Sequence, residues 1–288
     1  MNTITDLSPS WQAWLDDNLA RGCSPASMLD SMIKANFDAA AASVALQQAQ
    51  ARRQAASHQP EPQAPAGGYV QETPRLPQSG NVIHTHDRDV RVMLSLHQPT
   101  LALFDNLMSP EECDELISLA RIKLKRSATV DPVTGHEQVI DARTSFGTFF
   151  RLNEDDFIAR LDRRIADLMH WPIENGEGIQ ILHYPVGGEY RSHFDYFPPE
   201  DPGSLAHLAK GGQRVSTLVM YLNDVEEGGE TTFPSLKLSI TPKKGAAAYF
   251  EYANSLGQVD PLSLHAGTPV VRGEKWIATK WMRERRYG

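Results

Sequence analysis

The sequence predicts a mostly β protein with flanking helices, in which a double-stranded β-helix, or jelly roll, forms the core and a small helical region precedes it. Three observations support this fold class. Short strand-like runs separated by turn signals follow one another after Gly178 without intervening helices. Two helical stretches come before those runs, and apolar residues recur at helical spacing near the N-terminus.

Residues 1–53 are predicted to form the N-terminal helical region. Tryptophan, leucine and methionine side chains recur there at helical spacing, and an Ala/Gln-rich run covers residues 37–51. Residues 22–25 and Asn36 interrupt the pattern, and Pro25 suits the first turn of a helix because it lacks an N–H that would have no partner there. Such helices could form a small docking module or a packing extension with no separate role.

Residues 54–80 are predicted to be a linker. They are rich in Pro, Gln, Gly and Ala and carry few large apolar side chains, so burial cannot offset the entropy that ordering would cost. Residues 81–288 would then form the main domain, whose length suits one large core.

Two helices are predicted early in this domain. Ser109-Pro110-Glu111-Glu112 combines an N-cap serine, a first-turn proline and a glutamate at the third helical position, a capping box that begins a helix reaching about Ile122. A second amphipathic helix covers residues 155–169 and ends before Pro172. The strand-like runs that follow are GIQILHY, EYRSHFDYF, QRVSTLVMYLND, KKGAAAYFEY, LSLHAGTPV and EKWIATKWM.

The composition is that of a globular protein and argues against several classes. Hydrophobic residues make up 41% and charged residues 22%, and no apolar run approaches the roughly 20 residues of a membrane helix. No basic region followed by an apolar stretch begins the sequence, so we expect a soluble, cytoplasmic protein without membrane partners. The net charge of −8 opposes nucleic-acid binding. Two cysteines, Cys23 and Cys113, cannot form a disulfide framework or a cysteine-rich metal site.

A metal site is indicated by residues in two of the strand-like runs. His193-Phe194-Asp195 places an imidazole and a carboxylate two residues apart, so on a strand both would point to one face. His265 lies in a later run that a jelly roll could lay beside the first. Two histidines and one carboxylate on one face of an iron leave the opposite positions open for substrate and dioxygen, as in non-haem iron oxygenases.

The run after His265 carries a candidate anion-binding residue. Strand alternation places Lys275 on one face and Lys280 on the other. A buried lysine needs an anionic partner because an unpaired buried charge is very costly, and a dicarboxylate co-substrate would supply that partner. Lys275 lies ten residues past His265, enough for a turn and a return along the neighbouring strand. We therefore predict that Lys275, rather than Lys280, faces the site.

Across roughly residues 99–285 the chain resembles the prolyl 4-hydroxylase family of Fe(II)- and 2-oxoglutarate-dependent dioxygenases. The matching segments are FDNLMSPEECDELI, RTSFGTFF, ILHYPVGGEYRSHFDYF, QRVSTLVMYLNDVEEGGETTFP and SLHAGTPVVRGEKWIATKWMRE. The resemblance implies a double-stranded β-helix in which His193, Asp195 and His265 bind Fe(II). It also implies that Lys275 binds the distal carboxylate of 2-oxoglutarate and that Tyr184 reaches into the co-substrate pocket.

The same resemblance places Tyr190, Arg214 and Trp281 where the family contacts peptidyl proline. Each has an alternative: Tyr190 alternates away from the His193 face unless a turn or bulge resets it, Arg214 could pair with an acidic neighbour, and Trp281 could belong to the core. Two residues past Trp281 this chain has Arg283, where the family often has histidine.

The expected reaction is hydroxylation of peptidyl proline at C4, with conversion of 2-oxoglutarate and dioxygen to succinate and carbon dioxide. The resemblance also suggests ascorbate (vitamin C) as a possible requirement. One alternative is a 2-oxoglutarate oxygenase that acts on another side chain or on a free amino acid. An alternative of another class is an iron- or oxygen-sensing interaction protein that docks a protein partner through its N-terminal helices.

Overall fold

A computed structural model describes residues 4, 7–20, 24–57, 68–77 and 80–287. Its contacts divide the chain into two compact units, Met1–Ala64 and Pro65–Gly288. Helices of the described residues are each too short or too polar to cross a lipid bilayer.

The N-terminal unit contains the predicted helices α1 (Pro9–Ala20), α2 (Pro25–Lys34) and α3 (Ala39–Ser57). The Ser24 side chain accepts the backbone N–H of Ser27 and Pro25 opens α2, as the sequence predicts; Gly22 and Cys23 lie outside the described residues. This unit has its own hydrophobic core. Its buried members are Leu15, Met28, Met32, Phe37, Ala42, Ala45, Leu46 and Ala49.

The second unit contains helices α4 (Pro110–Arg121), α5 (Asp156–Met169) and the short α6 (Leu205–Ala209). The predicted capping box begins α4, since Ser109 and Glu112 each accept the other's backbone N–H. The Asp155 side chain caps α5, which ends at His170 in the left-handed conformation, two residues before Pro172. Helix α6 was not predicted.

Seventeen short strands lie in the described part of this unit. They are β1 (Val82–His84), β2 (Asp89–His97), β3 (Thr100–Asp105), β4 (Lys125–Arg126), β5 (Thr129–Val130), β6 (Glu137–Gln138), β7 (Phe146–Phe150), β8 (Ile179–Tyr184), β9 (Tyr190–His193), β10 (Arg214–Tyr221), β11 (Glu227–Gly228), β12 (Thr231–Phe233), β13 (Leu238–Ile240), β14 (Ala247–Glu251), β15 (His265–Gly267), β16 (Val270–Arg272) and β17 (Lys275–Arg283).

Two antiparallel sheets form the core. The larger has nine strands in the order β1-β2-β3-β14-β10-β17-β8-β7-β4, and the smaller has four in the order β13-β12-β15-β9. One hydrophobic cluster joins the large sheet to α4 and α5, and a second joins the two sheets. Along β17, Trp276 belongs to the first cluster and Ile277 to the second, which confirms the predicted alternation. This architecture confirms the predicted fold class.

The structure differs from the predicted linker at both ends of residues 54–80. Helix α3 continues to Ser57, and residues 68–77 belong to the second unit and bond to the rest of it, whereas residues 58–67 and 78–79 lie outside the described residues. The backbone N–H of Arg75 donates to Glu251 Oε1 at 2.8 Å, and the nearby Leu76 side chain is buried in the core. These contacts order the segment, and the composition of residues 68–77 does not reveal them, because the partners are distant in sequence. We call residues 68–77 the strap.

Candidate metal centre and co-substrate pocket

The structure brings the three predicted metal ligands together. His193 on β9 and His265 on β15 lie directly opposite each other in the small sheet. One ligand atom from each histidine and from Asp195 lies within 4.8 Å of the others. The prediction that His193 and Asp195 share a strand was wrong, because β9 ends at His193 and a bend carries Asp195. The bend nevertheless leaves Asp195 Oδ1 3.7 Å from His193 Nε2 and Asp195 Oδ2 3.6 Å from His265 Nε2.

Backbone carbonyls set the orientation of both imidazoles. His193 Nδ1 lies 2.8 Å from the carbonyl oxygen of Arg191, and His265 Nδ1 lies 2.9 Å from that of Ser263. A carbonyl oxygen can only accept a hydrogen bond, so each Nδ1 carries the proton. The Nε2 lone pairs are then free on the side of Asp195, which is the usual arrangement of metal-binding histidines.

A chain of hydroxyl groups holds the Asp195 carboxylate. Thr217 on β10 donates its hydroxyl hydrogen to Asp195 Oδ2 at 2.7 Å, and the Tyr252 hydroxyl lies 2.9 Å from Thr217 Oγ1. Because Thr217 has one hydroxyl hydrogen and gives it to Asp195, Tyr252 is the donor in the second bond. The orientation of the carboxylate therefore depends on two residues that are not members of the ligand cluster: Thr217 directly, and Tyr252 through Thr217.

The charges of the cluster fit a divalent iron. Burial, and secondarily the neighbouring His265, lower the pKa of His193 to about 3, so its imidazole is neutral and ready to bind a metal. Burial alone would raise the pKa of Asp195, but the adjacent His265, His193 and Arg214 lower it to about 2 and keep the carboxylate ionised. Two imidazoles and one carboxylate facing a common point are the donor set that non-haem iron oxygenases use.

Lys275 faces the same side as the ligand cluster and is only 3% exposed. It lies opposite Tyr184 in the β17–β8 ladder, with Nζ 5.5 Å from the centre of the Tyr184 ring. A Cβ placed on Gly267, two residues past His265, would be 3.5 Å from Nζ. Burial lowers the pKa of Lys275 to about 8, although Glu230 opposes this shift.

Within the described residues, no carboxylate lies within 4 Å of Lys275 Nζ, in contrast to Lys280, which pairs with Asp162 at 2.7 Å on the other face of the sheet. A buried ammonium without an ion-pair partner is costly, and a dicarboxylate bound beside it would offset that cost. Lys275 therefore fits the predicted role of binding 2-oxoglutarate, and the buried Tyr184 ring lines the adjacent wall.

Tyr190 lies on the metal side through a change of register. In the β9–β15 ladder His193 is opposite His265, but Tyr190 is opposite Gly267, so three steps on β9 match two on β15. This bulge turns the Tyr190 ring onto His193, with ring centres 3.5 Å apart and planes inclined by 17°. Simple alternation would turn Tyr190 away from His193, and the sequence analysis named a bulge as one exception. The structure contains that bulge.

Arg214 and Trp281 form a stacked pair near Asp195. The Arg214 guanidinium lies 3.8 Å from the centre of the Trp281 ring and donates to the backbone carbonyl of Asp195 at 3.2 Å. It also binds both carboxylate oxygens of Glu177, at 2.7 and 2.9 Å, so the acidic partner considered for Arg214 is present. Both stacked side chains are thus held next to the metal centre.

Sequence reasoning missed four residues that support this site: Glu177, Thr217, Tyr252 and Arg143. Arg143 is buried, lies 4.8 Å from the centre of the Tyr190 ring and donates to Gln180 Oε1 and to the backbone carbonyl of Ala128. Arg143 and Thr217 fall within segments that carry the family resemblance, which was a usable signal. Glu177 lies two residues before β8, and neither Glu177 nor Tyr252 is part of a recognisable motif in the sequence.

Comparison with known proteins agrees with this fold and site. A sequence model of the 2OG-Fe(II) oxygenase superfamily matches residues 179–283, which include all three ligands and Lys275. Prolyl 4-hydroxylase 5 of Arabidopsis thaliana is 40% identical over 203 residues, covering 64% of this chain and 68% of the relative. Probable prolyl 4-hydroxylase 3 of the same plant is 41% identical over 204 residues, covering 64% of this chain and 69% of the relative.

The 2-oxoglutarate complex of a viral collagen prolyl hydroxylase from Paramecium bursaria Chlorella virus-1 is a solved structure with 32% sequence identity and a TM-score of 0.51. The match covers 64% of this chain and 95% of that protein. Together, the fold, the donor set and these likenesses define an oxygenase that depends on Fe(II) and 2-oxoglutarate. Within that class, the chain belongs to the prolyl 4-hydroxylase family.

Proposed function

We propose that this chain hydroxylates peptidyl proline at C4, with conversion of 2-oxoglutarate and dioxygen to succinate and carbon dioxide. The observation that carries the proposal is the cluster of His193, Asp195 and His265 beside the buried Lys275. The likeness to prolyl 4-hydroxylases at about 40% identity supports proline as the target.

The chain's own residues would each contribute a separate part of the reaction. Iron held by His193, Asp195 and His265 supplies, when bound, the oxidative chemistry that consumes 2-oxoglutarate and hydroxylates a C–H bond. Lys275 would bind the distal carboxylate, and its burial strengthens that contact because little water competes for the charge. The co-substrate is thereby fixed relative to the ligand cluster.

The proposed peptide contacts are Tyr190, Arg214 and Trp281. The Tyr190 ring lies against His193 and offers an apolar surface to a proline ring next to the metal. Arg214 and Trp281 form a flat stacked pair whose guanidinium is held by Glu177 before any peptide arrives. A proline-containing peptide suits such a surface because proline fixes φ and lowers the ordering cost of an extended segment.

The test is to incubate the purified protein with Fe(II), 2-oxoglutarate and proline-containing peptides, and to measure succinate together with peptide mass. We expect one added oxygen atom on a prolyl residue, located at C4 by fragmentation or NMR. The amount of hydroxylated peptide should equal the amount of succinate formed. Asp195→Ala should abolish the product, whereas His183→Ala is a matched control, since His183 stacks on Trp276 outside the pocket. An added oxygen on a non-prolyl residue would favour the broader oxygenase alternative instead.

The N-terminal unit supports a second, subsidiary proposal, that its helices dock a protein partner. Its separate hydrophobic core favours an independent module over a simple packing extension. Affinity capture with the full chain and with a chain lacking residues 1–64 tests this: a partner bound by both would contradict it. Dependence on ascorbate, the cytoplasmic location and the exclusion of nucleic acid stay predictions.

A further inference from the structure

Arg283, the last residue of β17, is a buried cation that contacts neither the metal ligands nor Lys275. It is 1% exposed, and by strand alternation its side chain lies on the same face of the sheet as Lys275 and Trp281. Its Nη2 atom donates to the backbone carbonyls of His207 and Lys210, both at 2.5 Å. These carbonyls lie at the end of α6, where helix geometry leaves acceptors without partners.

The other edge of the Arg283 guanidinium faces the Arg214–Glu177 pair. Arg283 Nη1 lies 3.6 Å from Glu177 Oε1, the carboxylate that also binds Arg214. The guanidinium groups of Arg283 and Arg214 lie 5.0 and 4.8 Å from the centre of the Phe197 ring, which stacks on His207. Arg283 thus connects α6 to the residue that holds Arg214 against Trp281.

Helix α6 and the short turn that precedes it, residues 202–204, are in turn bonded to the turn between β5 and β6. Gly203 donates its backbone N–H to the Pro132 carbonyl at 2.9 Å, and His207 Nε2 donates to the Gly135 carbonyl at 3.0 Å. The two backbones approach so closely that a Cβ on Gly203 would lie 2.4 Å from the Asp131 carbonyl oxygen. We call the turn 131–135 together with residues 202–210 the clasp.

We propose that Arg283 is a positioning residue that holds the clasp in place beside Arg214 and Trp281 and so fixes the surface that receives the peptide. This inference rests on the proposed peptide hydroxylation and deepens it. Arginine suits the position because its planar guanidinium can donate to two carbonyls through Nη2 while Nη1 approaches a carboxylate. Lysine has a single charged nitrogen and cannot reproduce both contacts.

The first test compares Arg283→Ala with Arg286→Ala, a matched control that removes an exposed arginine three residues further along the chain. We expect Arg283→Ala to speed amide hydrogen exchange in residues 131–135 and 202–210 and to lower kcat/KM for the peptide on the order of 100-fold. Iron affinity and the apparent KM for 2-oxoglutarate should stay within about twofold of wild type, because Arg283 touches neither site. Arg283→Lys should recover part of the peptide kcat/KM.

A second variant reaches the clasp without changing Arg283. Gly203→Ala introduces the Cβ that would collide with the Asp131 carbonyl and should reproduce the same selective loss for the peptide. The proposal is overturned if Arg283→Ala leaves amide hydrogen exchange in the clasp unchanged. It is also overturned if, in both variants, the apparent KM for 2-oxoglutarate rises as much as kcat/KM for the peptide falls. A wild-type protein that hydroxylates no prolyl peptide would contradict the proposed function, while the exchange measurement would still decide whether Arg283 holds the clasp.

Discussion

At the residue scale, each metal ligand is oriented by one neighbouring group. Backbone carbonyls hold Nδ1–H of His193 and His265, and the Thr217 hydroxyl holds Asp195. Both histidines therefore point Nε2 toward the carboxylate before a metal binds, which lowers the reorganisation that binding would otherwise require.

Thr217→Val tests the support of Asp195. Valine preserves the shape of threonine but cannot donate to Asp195 Oδ2, so the carboxylate should lose its orientation. We expect Fe(II) affinity to fall about 10- to 100-fold in an anaerobic titration. Ser216→Ala, one residue earlier on β10 and on the opposite face of the strand, is the control. Equal Fe(II) affinities in the two variants would show that the hydroxyl chain does not support the metal site.

Lys275 predicts a pH dependence of co-substrate binding. Its pKa of about 8 lies below the usual value of 10.5, so the ammonium loses its proton as the pH rises through 8. Protonated Lys275 attracts the carboxylate and neutral Lys275 does not, so the Kd for 2-oxoglutarate should increase above pH 8. The expected slope approaches about tenfold per pH unit.

Lys275→Arg is the control for that titration, since a guanidinium keeps its charge throughout the range. Calorimetry between pH 7 and 9.5, done anaerobically with Mn(II) in place of Fe(II), should show a rising Kd for wild type and a flat Kd for the variant. The same pH dependence in both proteins would assign it to another group.

At the scale of elements, the sequence predicts what local rules determine and misses what register and long-range contacts determine. The capping box at Ser109, the helix after Asp155 and the opposite directions of Lys275 and Lys280 were all foreseen, because each follows from spacing within one element. The bend that carries Asp195 is bonded to a distant strand, since Thr217 donates to the Asp195 carboxylate and Arg214 donates to the Asp195 backbone carbonyl, and no local pattern reveals these contacts.

Pairing between distant elements accounts for the other differences. The sequence left open whether Tyr190 faces the metal, because the bulge that turns it is a property of two strands together. Helix α6 is short and is held by His207 and Arg283, and the Arg214–Glu177 pair joins residues remote in sequence. The strap carries few large apolar side chains, and of these Leu76 is buried in the core. Most of its other contacts are hydrogen bonds to distant residues such as Glu251 and Gln258, which the local sequence does not reveal.

The strap should contribute to stability through Arg75. Arg75 donates from its backbone to Glu251 and brings its guanidinium to 3.3 Å from the same carboxylate, whose side chain is 7% exposed. Burial raises the pKa of Glu251, and Arg75 counteracts that shift. Arg75→Ala should therefore lower the free energy of unfolding by about 1–2 kcal/mol.

Chemical denaturation of the second unit measures this effect, with Thr73→Ala as the control because Thr73 is an exposed residue of the same strap. If Arg75→Ala is as stable as Thr73→Ala, the side-chain contact of Arg75 with Glu251 contributes nothing, and the strap is held by its other bonds, including the Arg75 backbone N–H.

At the scale of the whole molecule, the chain divides near residue 64 and not at residue 80. A chain lacking residues 1–64 keeps the strap, whereas one lacking residues 1–80 loses it together with its bonds to Glu251, Asn254 and Gln258. We expect the first truncation to retain coupled 2-oxoglutarate turnover and the second to melt at a lower temperature. Equal melting temperatures for the two truncations would contradict the structural role assigned to the strap.

The central claim is that His193, Asp195 and His265 together bind one Fe(II). The stoichiometry and affinity of anaerobic Fe(II) binding to the full chain test it most directly, with Asp195→Ala measured alongside. We predict one equivalent per chain for wild type and loss of that site in the variant. Absence of Fe(II) binding by the wild-type protein, or unchanged binding by Asp195→Ala, would contradict the account.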